Sequence, residues 1–310
     1  MNLSALLGPV GGIAGSRFLT VSYLPTVGCS AFLLVLTWAG APGGRPDFHR
    51  AWTTAAGLGV GELLLLWLAV TLLALALHPL QLRLVRLLEG EWPGLPDRLR
   101  RRAVARQEAR RTTLARQRTI VSADPPDQAT ANRAGIAGTL LSTRFPPDGL
   151  PAAPTRLGNV LAAVEHRAGA TYELDAVVVW PRLYPLLDTA TKDVVDTNRD
   201  ALDGAARLAV TAALTALASA ALLGRAGWWL LLALAPAGLA RVAYLAAVES
   251  AAAYGTALEA AIELHRFALY ERLGLPRPPD LDAERAANAA LCTLWRQGRI
   301  PGAGLTYRQE

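Results

Sequence analysis

The 310-residue chain is poor in most of the residues from which soluble enzymes build their sites. Charged residues make up 18% and aromatics 6%, and there are two cysteines and a single methionine. Two cysteines cannot form a disulfide framework. Cys29 sits inside an apolar run and Cys292 lies far away near the C-terminal end, so both read as inert small residues. Lysine is almost absent: Lys192 stands alone among arginines, and with abundant Ala, Leu and Gly this is the composition of a GC-rich bacterial genome. Catalytic signatures are missing as well. There is no HExxH, GxSxG, Walker-type Gly-Lys-Ser/Thr or paired CxxC. His49, His78, His166 and His265 are scattered without metal-ligand spacing. The expectation is a protein that is not an enzyme, with no metal and no cofactor.

Long apolar runs are present instead. No Asp, Glu, Lys or Arg occurs from Phe18 to Gly44, only Glu62 between Arg50 and Arg83, none from Leu208 to Gly224, and only Arg241 from Ala226 to Val248. A hydrocarbon layer of ~30 Å is crossed by ~20 helical residues. Four spans are therefore expected, over Phe18–Ala41, Ala55–Leu77, Ala205–Leu223 and Ala226–Val248, with Pro25 and Pro236 kinking the first and fourth. The first run is longer than a signal-peptide core of ~7–15 residues. It reads as an uncleaved helix, although Ala39-Gly40-Ala41 has the small-residue spacing of a cleavage site.

The segment from His78 to Gly204 carries 18 of the 31 basic residues, and seven more follow Val248. The short connectors on the other side hold only Arg45, Arg50 and Arg225. By the positive-inside rule both termini and the central segment are cytoplasmic, in a bacterial plasma membrane. The predicted fold class is an all-α membrane protein with four transmembrane helices, two plus two, and a mostly helical cytoplasmic domain inserted between the pairs. The parts are a cytoplasmic N-terminus (1–17), spans one and two (18–77), the cytoplasmic domain (78–204), a helical hairpin of spans three and four (205–248), and a cytoplasmic stalk and tail (249–310).

Within the central segment, Leu80 to Leu88 interleaves leucines with Arg83 and Arg86, an amphipathic pattern suited to a membrane surface. A helix is expected over Asp97–Ile120, ended by Pro125-Pro126, and another over Thr155–Arg167. The five residues Ala176–Trp180 fit a buried strand or the start of a buried helix equally, since periodicity cannot decide over so short a run. From Asp188 the pattern runs without a breaker into span three. Span four continues past Glu249 with Leu258, Ile262, His265, Leu269 and Leu273 near a 3.5-residue repeat. The two extensions form an antiparallel stalk, followed by a helix over Asp282–Gln297.

Few residues stand out for chemistry. Glu62 is the one acid inside a span; it lines a pore or binds a cation, or it reaches the outer interface or hydrogen-bonds a neighbour, and its shallow depth favours the second pair. Arg241 reads as an interfacial anchor that snorkels. Gly57 and Gly61 have GxxxG spacing and suggest close helix packing. The arginines of the stretch that holds Arg98, Arg101, Arg102, Arg106 and Arg110 lie on a solvated helix or on anionic lipid headgroups. Nucleic acid is not expected as a partner, because no aromatic residue is interleaved from Pro93 to Arg144 to stack on bases. Glu249, Glu259 and Glu263 are expected to pair with arginines of the central segment.

Three cytoplasmic pieces carry a resemblance. They are His78-Pro79 with Arg86-Leu87-Leu88-Glu89-Gly90-Glu91-Trp92, then Pro154-Thr155-Arg156-Leu157-Gly158-Asn159, then Tyr172 through Asp175 to Trp180-Pro181-Arg182-Leu183. With the two-plus-two layout they resemble an uncharacterised family of bacterial integral membrane proteins, frequent in actinobacteria, in which Glu-Gly-Tyr-Trp is usual where this chain has Glu91 in place of the tyrosine. The resemblance covers most of the chain from span one through span three. It implies a common fold and no activity. Read physically, Thr155 is an N-cap, Gly158 lets helices approach closely, and Asn159 satisfies backbone groups at a junction. Trp92 and Trp180 suit the headgroup level, and Asp175 and Arg182 form a bridge. The leading expectation is a membrane anchor, scaffold or regulatory subunit for a protein partner, with an apolar face at Leu291, Leu294 and Trp295 as its docking helix. An oligomeric channel lined by Glu62 or by Thr211, Thr215 and Ser219 comes second. Third is an enzyme on a lipid-linked substrate that uses Asp175, His78 and His166.

Overall fold

The structure, a computed structural model, describes residues 23–77, 81–92, 94, 96–119 and 127–298. The start of the first span at Phe18, the His78-Pro79 pair, the Pro125-Pro126 stop and residues 299–310 lie outside the described residues. Among the described residues every regular element is a helix: α1 (Leu24–Trp38), α2 (Phe48–Ala56), α3 (Val60–Leu77), α4 (Gln81–Glu89), α5 (Asp97–Thr119), α6 (Gln128–Arg144), α7 (Arg156–Arg167), α8 (Ala176–Leu183), α9 (Thr189–Leu223), α10 (Leu234–Arg272) and α11 (Leu281–Gln297). They fall into two compact units, one of residues 23–85 and 200–250, the other of residues 86–199 and 251–298.

The first unit is apolar. Two stretches are long and apolar enough to cross a membrane, Thr189–Leu223 and Gly227–Arg272, and a third if α2 and α3 count as one broken span. The described part of the first run is the shorter helix α1, whose 15 residues reach about 22 Å. Pro25 lies in the first turn of the described part of α1, and the residues before Tyr23 on which a kink there would depend lie outside the described residues. Pro236 likewise falls in the first turn of α10. The expected second span is interrupted: α2 and α3 meet at 109° across Gly57–Gly59. Added Cβ atoms at Gly59 and Gly61 would meet nothing within 4 Å, and one at Gly57 would meet its own helix backbone. These glycines break a helix and do not pack one against another. Turn Gly224–Gly227 leads through a 3-10 segment, Gly227–Ala233, into α10. Leu36, Ala41, Leu223 and Ala226 form the core here, with Phe32 and Trp229 against it. Large apolar side chains of α3 point outward, Trp67 at 58% exposure and Leu65 at 67%. Leu217, Leu231, Leu234 and Val242 do the same, the pattern of a surface facing lipid.

The second unit closes on itself through polar contacts. Asp127 caps α6 by accepting from the Thr130 N–H, and Ala134, Ala137 and Leu141 bury one face of that helix. Sequence periodicity misses α6, because its buried face is mostly alanine among Gly, Thr and Ser. Leu141 and Phe145 pack with Ala152 against Leu114 and Ala115 of α5. Residues 176–183 are a helix, α8, capped by the Asp175 carboxylate, which accepts from the Val177 and Val178 N–H groups. Where α7 crosses α10, Val164 packs onto Gly255, a position with no room for a Cβ. The expected pairing of Glu259 with the central segment is present as Arg167 Nε to Glu259 Oε1 at 2.5 Å. On the stalk, His265 Nε2 meets Asp188 Oδ2 at 3.0 Å. Asp188 also accepts from Thr191, which helps hold its carboxyl below the usual range.

Helix α11 is part of this core and not a free docking face. Leu291 is buried with Tyr270 and Leu275, and Trp295 packs against that cluster. Asn288, fully buried, accepts from the Tyr270 hydroxyl at 2.6 Å and donates to the Tyr172 carbonyl at 2.8 Å. Arg266 Nε bonds Glu284 Oε1 at 2.8 Å. Burial pushes the Cys292 thiol up to about 11, which keeps it unreactive.

Candidate functional site

The first two family-like motifs meet in the second unit. Helix α4 ends at Glu89, and Gly90 follows with φ +101°, a left-handed conformation that also brings its backbone against the Pro154 ring. Thr155 caps α7 by accepting from Gly158 N–H at 3.0 Å, as expected, and its hydroxyl donates to the Glu89 carbonyl at 2.9 Å. Gly158 lies against that same carbonyl, where a side chain has no space. Asn159, 1% exposed, accepts from Ala153 N–H at 2.7 Å and donates to the carbonyls of Ala153 and Thr155. The end of α4, the loop 151–154 and the first turn of α7 are thus one interlocked corner.

That corner floors a cleft of about 770 Å³. One wall is a single face of α5, with Asp97, Arg100, Arg101, Val104 and Ala105 at i, i+3, i+4, i+7 and i+8. The other is a face of α7, with Gly158, Leu161, Ala162 and Glu165. Pro151, Ala152 and Ala153 line its base, and Glu89 and Glu91 enter from the end of α4. Arg111 steadies the α5 wall by donating to Asp148 at 2.9 Å and to the Leu150 carbonyl at 2.8 Å, and Glu108 accepts from Ala152 N–H.

Glu89 is the unusual group. Its Oε1 is buried with no hydrogen-bond partner. Burial raises its carboxyl to about 7, with Glu91 and Glu165 pushing the same way and Arg86 opposing. In the other unit, Arg207 on α9 is 2% exposed and its three guanidinium nitrogens have no hydrogen-bond partner, with the Asp203 carboxylate as its charged neighbour.

The other residues singled out from sequence lie elsewhere. Glu62 is exposed and accepts from the Gly59 N–H at 2.9 Å, which caps the start of α3. Arg241 is exposed on α10. Asp175 and Arg182 do not bridge: Asp175, besides capping α8, pairs with Arg296, while Arg182 donates to the Val178 carbonyl and stacks over Trp295 at 4.6 Å. Trp180 is 7% exposed and packs on Tyr184 in the core, so it is not a headgroup residue. Trp92, half-buried, donates from its ring to the Leu87 carbonyl. Arg156 opens α7. Arg98, Arg101, Arg102, Arg106 and Arg110 are all exposed along α5, of which Arg101 faces the cleft. Thr211, Thr215 and Ser219 donate to carbonyls of their own helix. No group of His, Cys, Asp and Glu able to hold a metal is found among the described residues.

Sequence reasoning missed Glu89, Arg100 and Glu165 as site residues. Glu89 stood inside a quoted motif, but its burial follows from a corner built by residues more than 60 positions further along the chain. Compared with family models, curated proteins and solved structures, the chain matches none.

Proposed function

We propose that the chain is a non-enzymatic membrane anchor and regulatory subunit, whose apolar helices hold a helical cytoplasmic unit at the inner face of a bacterial plasma membrane for a protein partner. In this reading four spans cross the bilayer and both termini are cytoplasmic. One observation carries it: large exposed apolar side chains crowd α3 and the hairpin of residues 200–250, while α5 of the other unit buries no residue and carries nine arginines among its 23 residues. A surface that suits lipid and a surface that suits water or anionic headgroups belong to different units. The outward arginines of α5, Arg98, Arg102, Arg106 and Arg110, add an electrostatic contact with anionic lipid of ~1 kcal/mol each near the surface.

A pore has less support. Glu62 is spent on a helix cap, and the hydroxyls of Thr211, Thr215 and Ser219 on their own backbone. The test is the intact mass of the protein extracted from its native membrane in mild detergent. A stoichiometric second protein supports the regulatory subunit. A homo-oligomer of four or more copies favours a channel, and a bare monomer refutes both.

A further inference from the structure

We propose that α2 lies in the membrane surface instead of crossing it, and that with the turns beside it α2 forms a tryptophan-and-arginine shelf that gathers anionic phospholipid headgroups. The proposal rests on the reading that the unit of residues 23–85 and 200–250 spans a membrane. It needs no partner protein and does not involve α5. In the four-span arrangement the shelf faces the outer side.

Length and direction place α2 in the surface. The 18 residues of α3 alone reach about 27 Å, close to the ~30 Å of the hydrocarbon layer, so α2 is not needed to complete that crossing. The bend of 109° sets α2 close to a right angle with α3, and therefore along the bilayer surface when α3 runs across it. The sequence of α2 suits that place. Phe48, Ala51, Trp52, Ala55 and Ala56 fall on one arc of the helix, and His49, Arg50, Thr53 and Thr54 on the other. A re-entrant helix or half of a crossing would carry that second arc, with Arg50 on it, into hydrocarbon. The unit holds α2 by its apolar arc: Ala51 is buried, and the Phe48 ring stands 5.5 Å from Trp229, which stacks on Trp228 at 4.1 Å. Trp52 at 74% and Trp228 at 66% stay exposed, and tryptophan settles at the level of the headgroups.

Charge names the occupant. Ala41 and Ala226 belong to one core cluster, which joins the turn Gly40–Gly44 before α2 to the turn Gly224–Gly227. Arg45 follows the first turn, Arg225 lies within the second, and the Arg50 guanidinium reaches Gly40, so three arginines gather at one end of the unit. All three are exposed and none forms an ion pair with a described residue. The acids of this end are Asp47 and Glu62, and both turn their carboxylates onto N–H groups where helices start. A phosphate at the bilayer surface supplies the acceptor that these guanidinium groups lack. An anionic headgroup is favoured over a zwitterionic one, because each basic residue at the surface concentrates anionic lipid about fivefold.

The test is fluorescence quenching of the full chain in vesicles, in a Cys29→Ala, Cys292→Ala background with one fluorophore-labelled cysteine. The vesicles mix phosphatidylcholine and phosphatidylglycerol, one of which is brominated, either near the headgroup or near the chain end. His49 and Ala56 share a face of α2 and stand about 10 Å apart along it. Labels at His49→Cys and Ala56→Cys should therefore be quenched alike, and more by shallow bromines than by deep ones. A label at Leu68→Cys, inside α3, should be quenched most by the deep bromines. At equal mole fraction, quenching of the Ala56→Cys label should show phosphatidylglycerol enriched about fivefold or more over phosphatidylcholine. Arg45→Gln, Arg50→Gln and Arg225→Gln together should abolish that preference, whereas Arg98→Gln with Arg102→Gln on α5 should keep it. If the Leu68→Cys label is not quenched by any lipid, the membrane reading fails and the proposal with it. If Leu68→Cys is deep but the two α2 labels differ in depth by about 10 Å, the surface helix alone is overturned. Equal quenching by the two lipids, or a preference that survives the triple substitution, overturns the anionic headgroup site.

Discussion

Replacing Gly158 by alanine tests the corner on which the cleft rests. A Cβ at this position enters the space of the Glu89 carbonyl oxygen and stands 3.0 Å from the Ala153 Cβ. Neither neighbour is the free end of a flexible side chain, so α7 has to withdraw from α4. Overpacking of this kind costs about 1–3 kcal/mol. Withdrawal also strains the 2.9 Å bond from Thr155 to the Glu89 carbonyl, worth about 1 kcal/mol. The gain in helix propensity over glycine returns at most about 1 kcal/mol. The net loss is about 1–3 kcal/mol, which lowers the unfolding midpoint by about 2–12 °C at ~2–4 °C per kcal/mol. The assay is helix ellipticity against temperature for the purified chain in uncharged detergent. Gly135→Ala on α6 is the control, because its Cβ would meet nothing within 4 Å and should leave the midpoint unchanged or raise it. If Gly158→Ala melts at or above the parent temperature, the interlocked corner is wrong.

Other outcomes follow from the same contacts. Glu89 has its carboxyl raised from 4.5 to about 7, so the folded state holds a proton that the unfolded state has lost between those values. Stability is then greatest below pH 4.5 and falls as pH rises through 7. Glu89→Gln should match the parent at pH 4.5 and exceed it at pH 8 by up to about 3 kcal/mol, read as melting midpoints at the two values; a larger advantage at the lower pH contradicts this. Asn288→Ala strands the Tyr270 hydroxyl and the Tyr172 carbonyl in the interior and should cost about 2–4 kcal/mol, whereas Tyr270→Phe should cost less. Equal losses would place the cost in packing. Arg207→Met combined with Asp203→Asn removes the buried guanidinium together with its charged neighbour and should raise the midpoint, by the equivalent of about 1–4 kcal/mol. A fall would show that Arg207 holds a ligand or water in the folded protein.

Much of the second unit was legible in the sequence because its signals are local. The Thr155 cap, the start of α5 at Asp97, the unbroken run from Asp188 into α9 and the role of Asn159 each depend on residues within a few positions. What the sequence hid depends on distant partners. Asp175 and Arg182 are seven residues apart and invite a bridge, but Arg296 and Trp295, far along the chain, take them separately. Leu291 and Trp295 look like an unpartnered stripe until Tyr270 and Leu275 cover Leu291. The break between α2 and α3 was concealed by uniform hydropathy, since Gly57–Gly59 interrupts a helix without interrupting the apolar run. The cleft escaped notice for a similar reason: helix spacing predicts each face, but only the corner at Gly90 and Gly158 sets the two faces apart.

Central to the proposed function is that residues 86–199 lie on the cytoplasmic side. Labelling with a membrane-impermeant maleimide tests this, in a Cys29→Ala, Cys292→Ala background with single cysteines introduced by Gly44→Cys, Arg225→Cys or Thr113→Cys. Intact cells should label the first two, and the Thr113→Cys protein should label only after lysis. Labelling of Thr113→Cys in intact cells, with protection of Gly44→Cys and Arg225→Cys, would contradict the account.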